Sequence, residues 1–249
     1  MLVRNTKGSY SFIRGIAPYS GGAVAEPGYE VVHVRFWQPV LLQEGFARVK
    51  AHLSTVGRPV HALCGMELRS PKPFTFQGFS DFNASYINVL KEWGLFLEGG
   101  VNPVARTNIA PEIGAPAQPS LYGFSYTVPS EAKRRTFVVA GAGELPEGSL
   151  DPHDVVRRGE TSDAALQEKA RFVMGLMSGR LKELGAGWDE VTVAEVYTVH
   201  PICGWMAEEL VKPMARGAIH GFTWHYSRPP ITSIEFEMDV RGCGRELML

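Results

Sequence analysis

Between Thr161 and Gly185 the apolar residues Leu166, Ala170, Val173, Met177, Leu181 and Leu184 recur at spacings of three and four. That spacing predicts a helix with one buried face. Asp163 and Glu168 lie toward its start and Lys182 near its end, matching the helix dipole, and Gly185 can take the left-handed terminal conformation. The β-branched runs TFVVAG (136–141) and VTVAEVYTV (191–199) predict a strand on either side. The first half carries the same pattern. EVVHVRFW (30–37) reads as strand, Leu42, Phe46, Val49 and Leu53 form a helical stripe that stops at Gly57, and HALCGMEL (61–68) reads as strand again. In each half an aromatic-rich second helix follows, near Phe79 to Phe96 and near Trp205 to Met214, and then two extended segments. Pro213 should shorten or kink the later of these helices.

The order predicts an α+β chain built from two tandem β-β-α-β-α-β-β domains, residues 1–130 and 131–249. The boundary falls in the polar, turn-prone TVPSEAKRR (127–135). The second copy also carries GELPEGSLDPHDVVRRGE between its strand and its first helix. A connection of that length is often functional, and is as readily a surface excursion.

Composition narrows the function. With 249 residues, 45% of them hydrophobic, the chain can bury a substantial core. Its 25 basic and 26 acidic residues leave a net charge of -1, without the basic excess that nucleic acid or an anionic membrane surface would favour. No stretch approaches a membrane span, and MLVRNTKGSYSF lacks the apolar core of a signal peptide, so a cytoplasmic protein is expected. Cys64, Cys203 and Cys243 are too few and too scattered for a metal knuckle or a disulfide framework. The common phosphate-loop, dinucleotide, zinc-protease and serine-hydrolase motifs are absent, and GAGEL (141–145) is a weak nucleotide signal. The histidines lack the spacing of a metal triad, so no metal is assigned.

Several segments resemble the Rid/YjgF family of enamine and imine deaminases. APYSGGAV (17–24) is similar to the family's opening motif, DFNASYINVL (81–90) to its second helix, and VARTNIA (104–110) to its arginine-bearing strand. KELGAGWDEVTVAEVYTV (182–199) and SIEFEMDV (233–240) resemble the family's first helix with its following strand, and its closing strand. The resemblance implies a chorismate-mutase-like fold, a homotrimer with active sites in clefts between neighbours, and a substrate carboxylate held by Arg106. A guanidinium suits that role because its planar fork donates two parallel hydrogen bonds. Pairing with a nearby acid, or a solvated strand face, is the alternative for Arg106.

The departures from the family are informative. Where the first copy should carry the family's acid stand Leu121 and Tyr122; in the second copy the acid position falls on Glu235, and counting back by the same interval reaches His220. Carboxylate binding and acid/base chemistry are therefore expected to be divided between the copies, in a cleft within one chain or across chains, with Arg106 and Glu235 together. Glu235 could instead pair across strands with a basic neighbour. Tyr19 would line the cleft, or serve as a turn tyrosine. His220, His225 and Arg228 cluster in HGFTWHYSRPP and could receive a second acidic group, or lie at the surface. Glu144 could be a second acid, or a solvated loop glutamate. The implied reaction is cofactor-independent hydrolytic deamination of a carboxylate-bearing enamine or imine, with 2-aminomuconate and related dicarboxylates from aromatic-ring cleavage as best candidates. A chorismatase-like enol-ether hydrolase and a non-catalytic metabolite binder are the alternatives.

Overall fold

The computed structural model describes residues 2–149 and 151–249; Leu150, within the long connection noted above, lies outside them. The first half comprises β1 (Val3–Asn5), β2 (Tyr10–Ile13), β3 (Gly22–Ala25), β4 (Tyr29–Leu41), α1 (Leu42–Thr55), β5 (Leu63–Arg69), α2 (Phe76–Glu92), β6 (Ala105–Pro111) and β7 (Ser120–Pro129). The second comprises β8 (Phe137–Gly143), α3 (Asp163–Glu183), β9 (Val193–Thr198), β10 (Thr223–Arg228), β11 (Glu237–Gly242) and β12 (Arg245–Met248). The architecture is α+β. One 12-stranded sheet runs in the order β1-β2-β3-β8-β11-β9-β10-β6-β5-β7-β4-β12.

Within that sheet the order β4-β7-β5-β6 is matched by β8-β11-β9-β10. In each set the first two pairings are antiparallel and the last is parallel. The sets join where β10 runs antiparallel to β6. The terminal strands cross over: β3 pairs with β8 of the second half, and β12 pairs with β4 of the first. These terminal strands are short, and hydrophobic periodicity gives little signal for segments of three or four residues. Ser20, just before β3, donates its backbone N–H to the Val104 carbonyl at 2.9 Å and so ties the β3 side back to the start of β6.

Each half packs helices on one face of its strands. Phe46, Val49 and Leu53 of α1 and Tyr86 and Leu90 of α2 cover Val32, Val34, Met66 and Phe124. Leu166, Val173, Met177 and Leu181 of α3 cover Phe137, Ala194, Val196 and Met238. The expected stripe is the buried face in both cases. Thr75 and Ser162 cap α2 and α3 by accepting N–H bonds from Gly78 and Ala165, and Gly185 follows α3 with φ +71°. The second helix of the second half is reduced, as Pro213 predicts. Ala207–Val211 form a single π turn, and a 3₁₀ segment, Ala215–His220, follows the proline. Among the described residues no helix is long and apolar enough to cross a membrane.

Candidate active site

Arg106 projects from β6, an interior strand with neighbours on both sides. Only 3% of the residue is exposed, yet Nη1 has no hydrogen-bond partner. Its guanidinium lies 4.9 Å from the Tyr19 ring centroid, 4.8 Å from Tyr86, 5.4 Å from Phe79 and 5.9 Å from Phe82. Phe79, Phe82 and Tyr86 recur at spacings of three and four on α2, so the helix presents an aromatic face to the cation. These rings stabilise the charge without consuming its donors. An unpaired buried donor costs about 1–3 kcal/mol, more when charged, so a site that retains one is suited to a ligand that supplies the acceptor.

Arg106 lines a cavity of about 560 Å³. Asn108, two residues along β6 and on the same side of the strand, also lines it. Its Oδ1 accepts from Ser70 Oγ at 3.0 Å, whereas its buried Nδ2 has no partner. The second half contributes Glu237, Glu147, Arg180 and the glycines 141 and 143. Glu237 is 5% exposed at the start of β11. Burial pushes its carboxyl well above its ordinary value; the negative fields of Asp239 and Glu144 add to that, against Arg106 and Arg180. Gly141 leaves room for this carboxyl, because a Cβ there would collide with Glu237 Oε1 and press on Thr107. Tyr19 is half-buried in the lining, and desolvation raises its hydroxyl pKa. Ile231 and Ile234, with Phe79, supply apolar wall.

The other residues singled out in the sequence lie elsewhere. Glu235 is not in the cavity lining; its carboxylate meets His200 Nε2 at 2.8 Å. Counting along the closing strand stops two residues short of Glu237, and a two-residue offset keeps the same strand face, so alternation alone does not reveal it. Glu144, a possible second acid or a solvated loop residue, is neither solvated nor in the cavity lining. It is fully buried in an ion pair with Lys169 at 3.0 Å and accepts the backbone N–H groups of Glu235 and Phe236 at 2.7 and 3.0 Å. Glu144 thereby fixes the backbone immediately before Glu237. His220 is exposed at the end of the 3₁₀ segment. Arg228 is engaged by Glu112 through both Nε and Nη2, at 2.6 and 3.1 Å. His225 contacts Glu195 at 3.3 Å, in a buried network that links Glu195 to Arg241 and Tyr197 to Asp239. The structure thus brings Arg106 and Tyr19 together with Glu237, all in one chain.

Sequence reasoning missed Asn108, Arg180 and Glu237. Asn108 was recoverable from the strand period, being at i+2 from Arg106. Arg180 carries no such signal, since a cation in the last turn of a helix reads first as a partner of the helix dipole. Of the thiols, Cys64 and Cys243 are buried and Cys203 is exposed, and burial pushes Cys243 up to about 12. Among the described residues no group of three or more His, Cys, Asp or Glu side chains is arranged to hold a metal ion.

The family described as 2-aminomuconate deaminase CnbZ matches residues 2–247. A 2-amino-5-chloromuconate deaminase from Comamonas testosteroni is 46% identical over 246 residues, covering 97% of this chain and 96% of that protein. Among solved structures, a chorismatase aligns with a TM-score of 0.52 at 10% identity, over 97% of this chain and 79% of its own. At that identity the likeness extends to the fold alone.

Proposed function

We infer, from the premise that this chain belongs to the 2-aminomuconate deaminase family, that it hydrolyses a 2-aminomuconate-type enamine dicarboxylate to the ketone and ammonia in the cavity between Arg106 and Glu237. The observation that carries the assignment of residues is the buried, unpaired Nη1 of Arg106, a residue that lines that cavity. It anchors a substrate carboxylate, and the Asn108 amide offers a second donor beside it. Tyr19 and the α2 rings keep the cation in place.

Glu237 is the acid and base. Burial raises its pKa well above the ordinary glutamate value, which favours the neutral carboxyl as a proton donor. The neutral acid protonates the enamine carbon, giving an iminium and a carboxylate. Water then adds to the iminium carbon while the carboxylate takes the water's proton. The regenerated acid protonates the carbinolamine nitrogen, ammonia departs, and the hydroxyl proton returns to Glu237 as the ketone forms. Each proton lent is recovered, so the carboxyl ends as it began. These steps call on no group beyond the side chains named.

The finer family reading rests on further support. The repeated strand order fits two Rid-like units, residues 1–130 and 131–249, interlocked by their exchanged terminal strands. Exposed Trp37, Ile113, Ile219 and Tyr226 offer apolar surface for the homotrimer that the Rid/YjgF resemblance implies. Light scattering on the 27.4 kDa chain tests that assembly. The enol-ether and non-catalytic readings are not favoured by a deaminase relative this similar.

The decisive experiment follows ammonia release from freshly generated 2-aminomuconate. Wild-type turnover that is lost in Arg106→Ala and Glu237→Gln, with folding intact, is the expected result. Full activity in Glu237→Gln would remove it from the mechanism, and wild type inert on the enamine would refute the substrate class.

A further inference from the structure

Arg180 stands in the last turn of α3, its side chain 7% exposed, and lines the same cavity as Arg106. Its Nη1 donates to the Ala140 carbonyl at 2.8 Å, which fixes the guanidinium against β8. Nε and Nη2 donate in parallel to the two carboxylate oxygens of Glu147, at 2.7 and 3.0 Å. This is the fork-to-fork geometry by which arginine binds a carboxylate.

The two partners are unequal. Arg180 is buried and anchored, whereas Glu147 is 55% exposed and belongs to the connection after β8, beside Pro146, Gly148 and Ser149 at the cavity. An ion pair with one partner so exposed contributes little, because solvent competes for the carboxylate. A ligand carboxylate that also gains contacts within the cavity can displace it. The seat is rigid and its occupant is replaceable.

We propose that Arg180 is the seat for the second carboxylate of a dicarboxylate ligand, and that Glu147 occupies this seat until the ligand takes it. Arg106 and Arg180 then hold the two ends of one molecule, and Glu237, within the field of both guanidinium groups, acts on the part between them. The function assigned to His220 and Arg228 on sequence grounds passes to Arg180. Exchange of Glu147 for the ligand frees the segment around Pro146 to move, so occupancy of the cavity and the position of that segment are coupled. The proposal rests on the reading of this cavity as the substrate site, and its test is independent of turnover.

Calorimetric titration of the full chain with hexa-2,4-dienedioate and with hexa-2,4-dienoate compares one carboxylate with two, and neither compound carries an amine to react. Wild type should prefer the diacid by about 10- to 100-fold, the range of one charge-assisted bidentate contact. Arg180→Gln should abolish that preference and Arg180→Lys retain part of it, whereas Glu147→Gln should tighten diacid binding several-fold by removing the competitor. A diacid preference that survives Arg180→Gln, or diacid binding that weakens in Glu147→Gln, would overturn the proposal. Should Arg180→Gln fail to fold through loss of its bond to Ala140, the Glu147→Gln and Glu147→Ala pair, on a segment without that bond, decides the matter alone. An Arg180-dependent diacid preference in a protein that releases no ammonia from the enamine would sink the deaminase substrate assignment and leave this one standing; the reverse result would do the opposite.

Discussion

The two halves share a strand order and differ in what they lay over it. In the first, α2 runs for 17 residues and turns Phe79, Phe82 and Tyr86 onto Arg106 of β6. In the second, the corresponding stretch is a π turn and a 3₁₀ segment around Pro213, and β10 leaves Trp224 and Tyr226 exposed. The closing strands reverse the inequality. β11 opens on the buried Glu237, whereas β7 has Leu121 and Tyr122 near its start. A cation in the first half needs an aromatic roof to remain buried; an acid in the second needs burial and neighbouring carboxylates to remain protonated. Each group also bears on the other, since the positive charges of Arg106 and Arg180 oppose the rise of the Glu237 carboxyl. Placing them on different halves, across one cavity, gives each its own surroundings.

This division is tested most severely at Glu237. Glu237→Gln should lower kcat by about 10²- to 10⁴-fold in steady-state ammonia release, the usual range for a lost general acid. The same residue sets a pH signature. Its folded pKa lies above the ordinary 4.5, so the folded protein holds a proton that the unfolded chain releases. Stability should therefore decline as pH rises above about 4.5 toward the raised value, and Glu237→Gln should flatten that decline in denaturant melts. Next comes the support beneath the acid. Lys169→Met strands the buried Glu144 carboxylate, and breaking such a pair should cost about 3–5 kcal/mol in chemical denaturation. On the first half, Arg106→Lys keeps the charge but loses the fork, and should raise KM about 10- to 100-fold with a smaller change in kcat. The smallest effect belongs to Glu235. Glu235→Gln, outside the cavity, should change kcat/KM by no more than about threefold, because its half-buried contact with His200 lies away from the reacting groups; a loss comparable to that of Glu237→Gln would reverse the assignment of the acid.

Much of the frame was legible in the sequence because it follows from short-range chemistry. The stripe from Leu166 to Leu184, the glycine after α3 and the proline that truncates the later helix act within a few residues of themselves. Arg106 stood out for a similar reason, as a lone charge in an uncharged strand. Glu144 illustrates the opposite case. Nothing within its own segment indicates that it will be buried against Lys169, 25 residues away, or bond the backbone at residues 235 and 236.

The sequence by itself determined the periodicities, the repeated order of elements, the likeness to a deaminase family and the lone arginine in an uncharged strand. Only the tertiary structure decided which acid faces that arginine, that both lie in one chain, and that a second arginine already carries a carboxylate. Strand alternation read from the sequence would put Glu235 and Glu237 on the same face, but Glu235 lies before β11 begins, and the surroundings of the two carboxyls differ. Those surroundings come from β6, β8 and α3, distant in the chain, and it is their field and their exclusion of water that make one glutamate an acid and leave the other a partner for histidine.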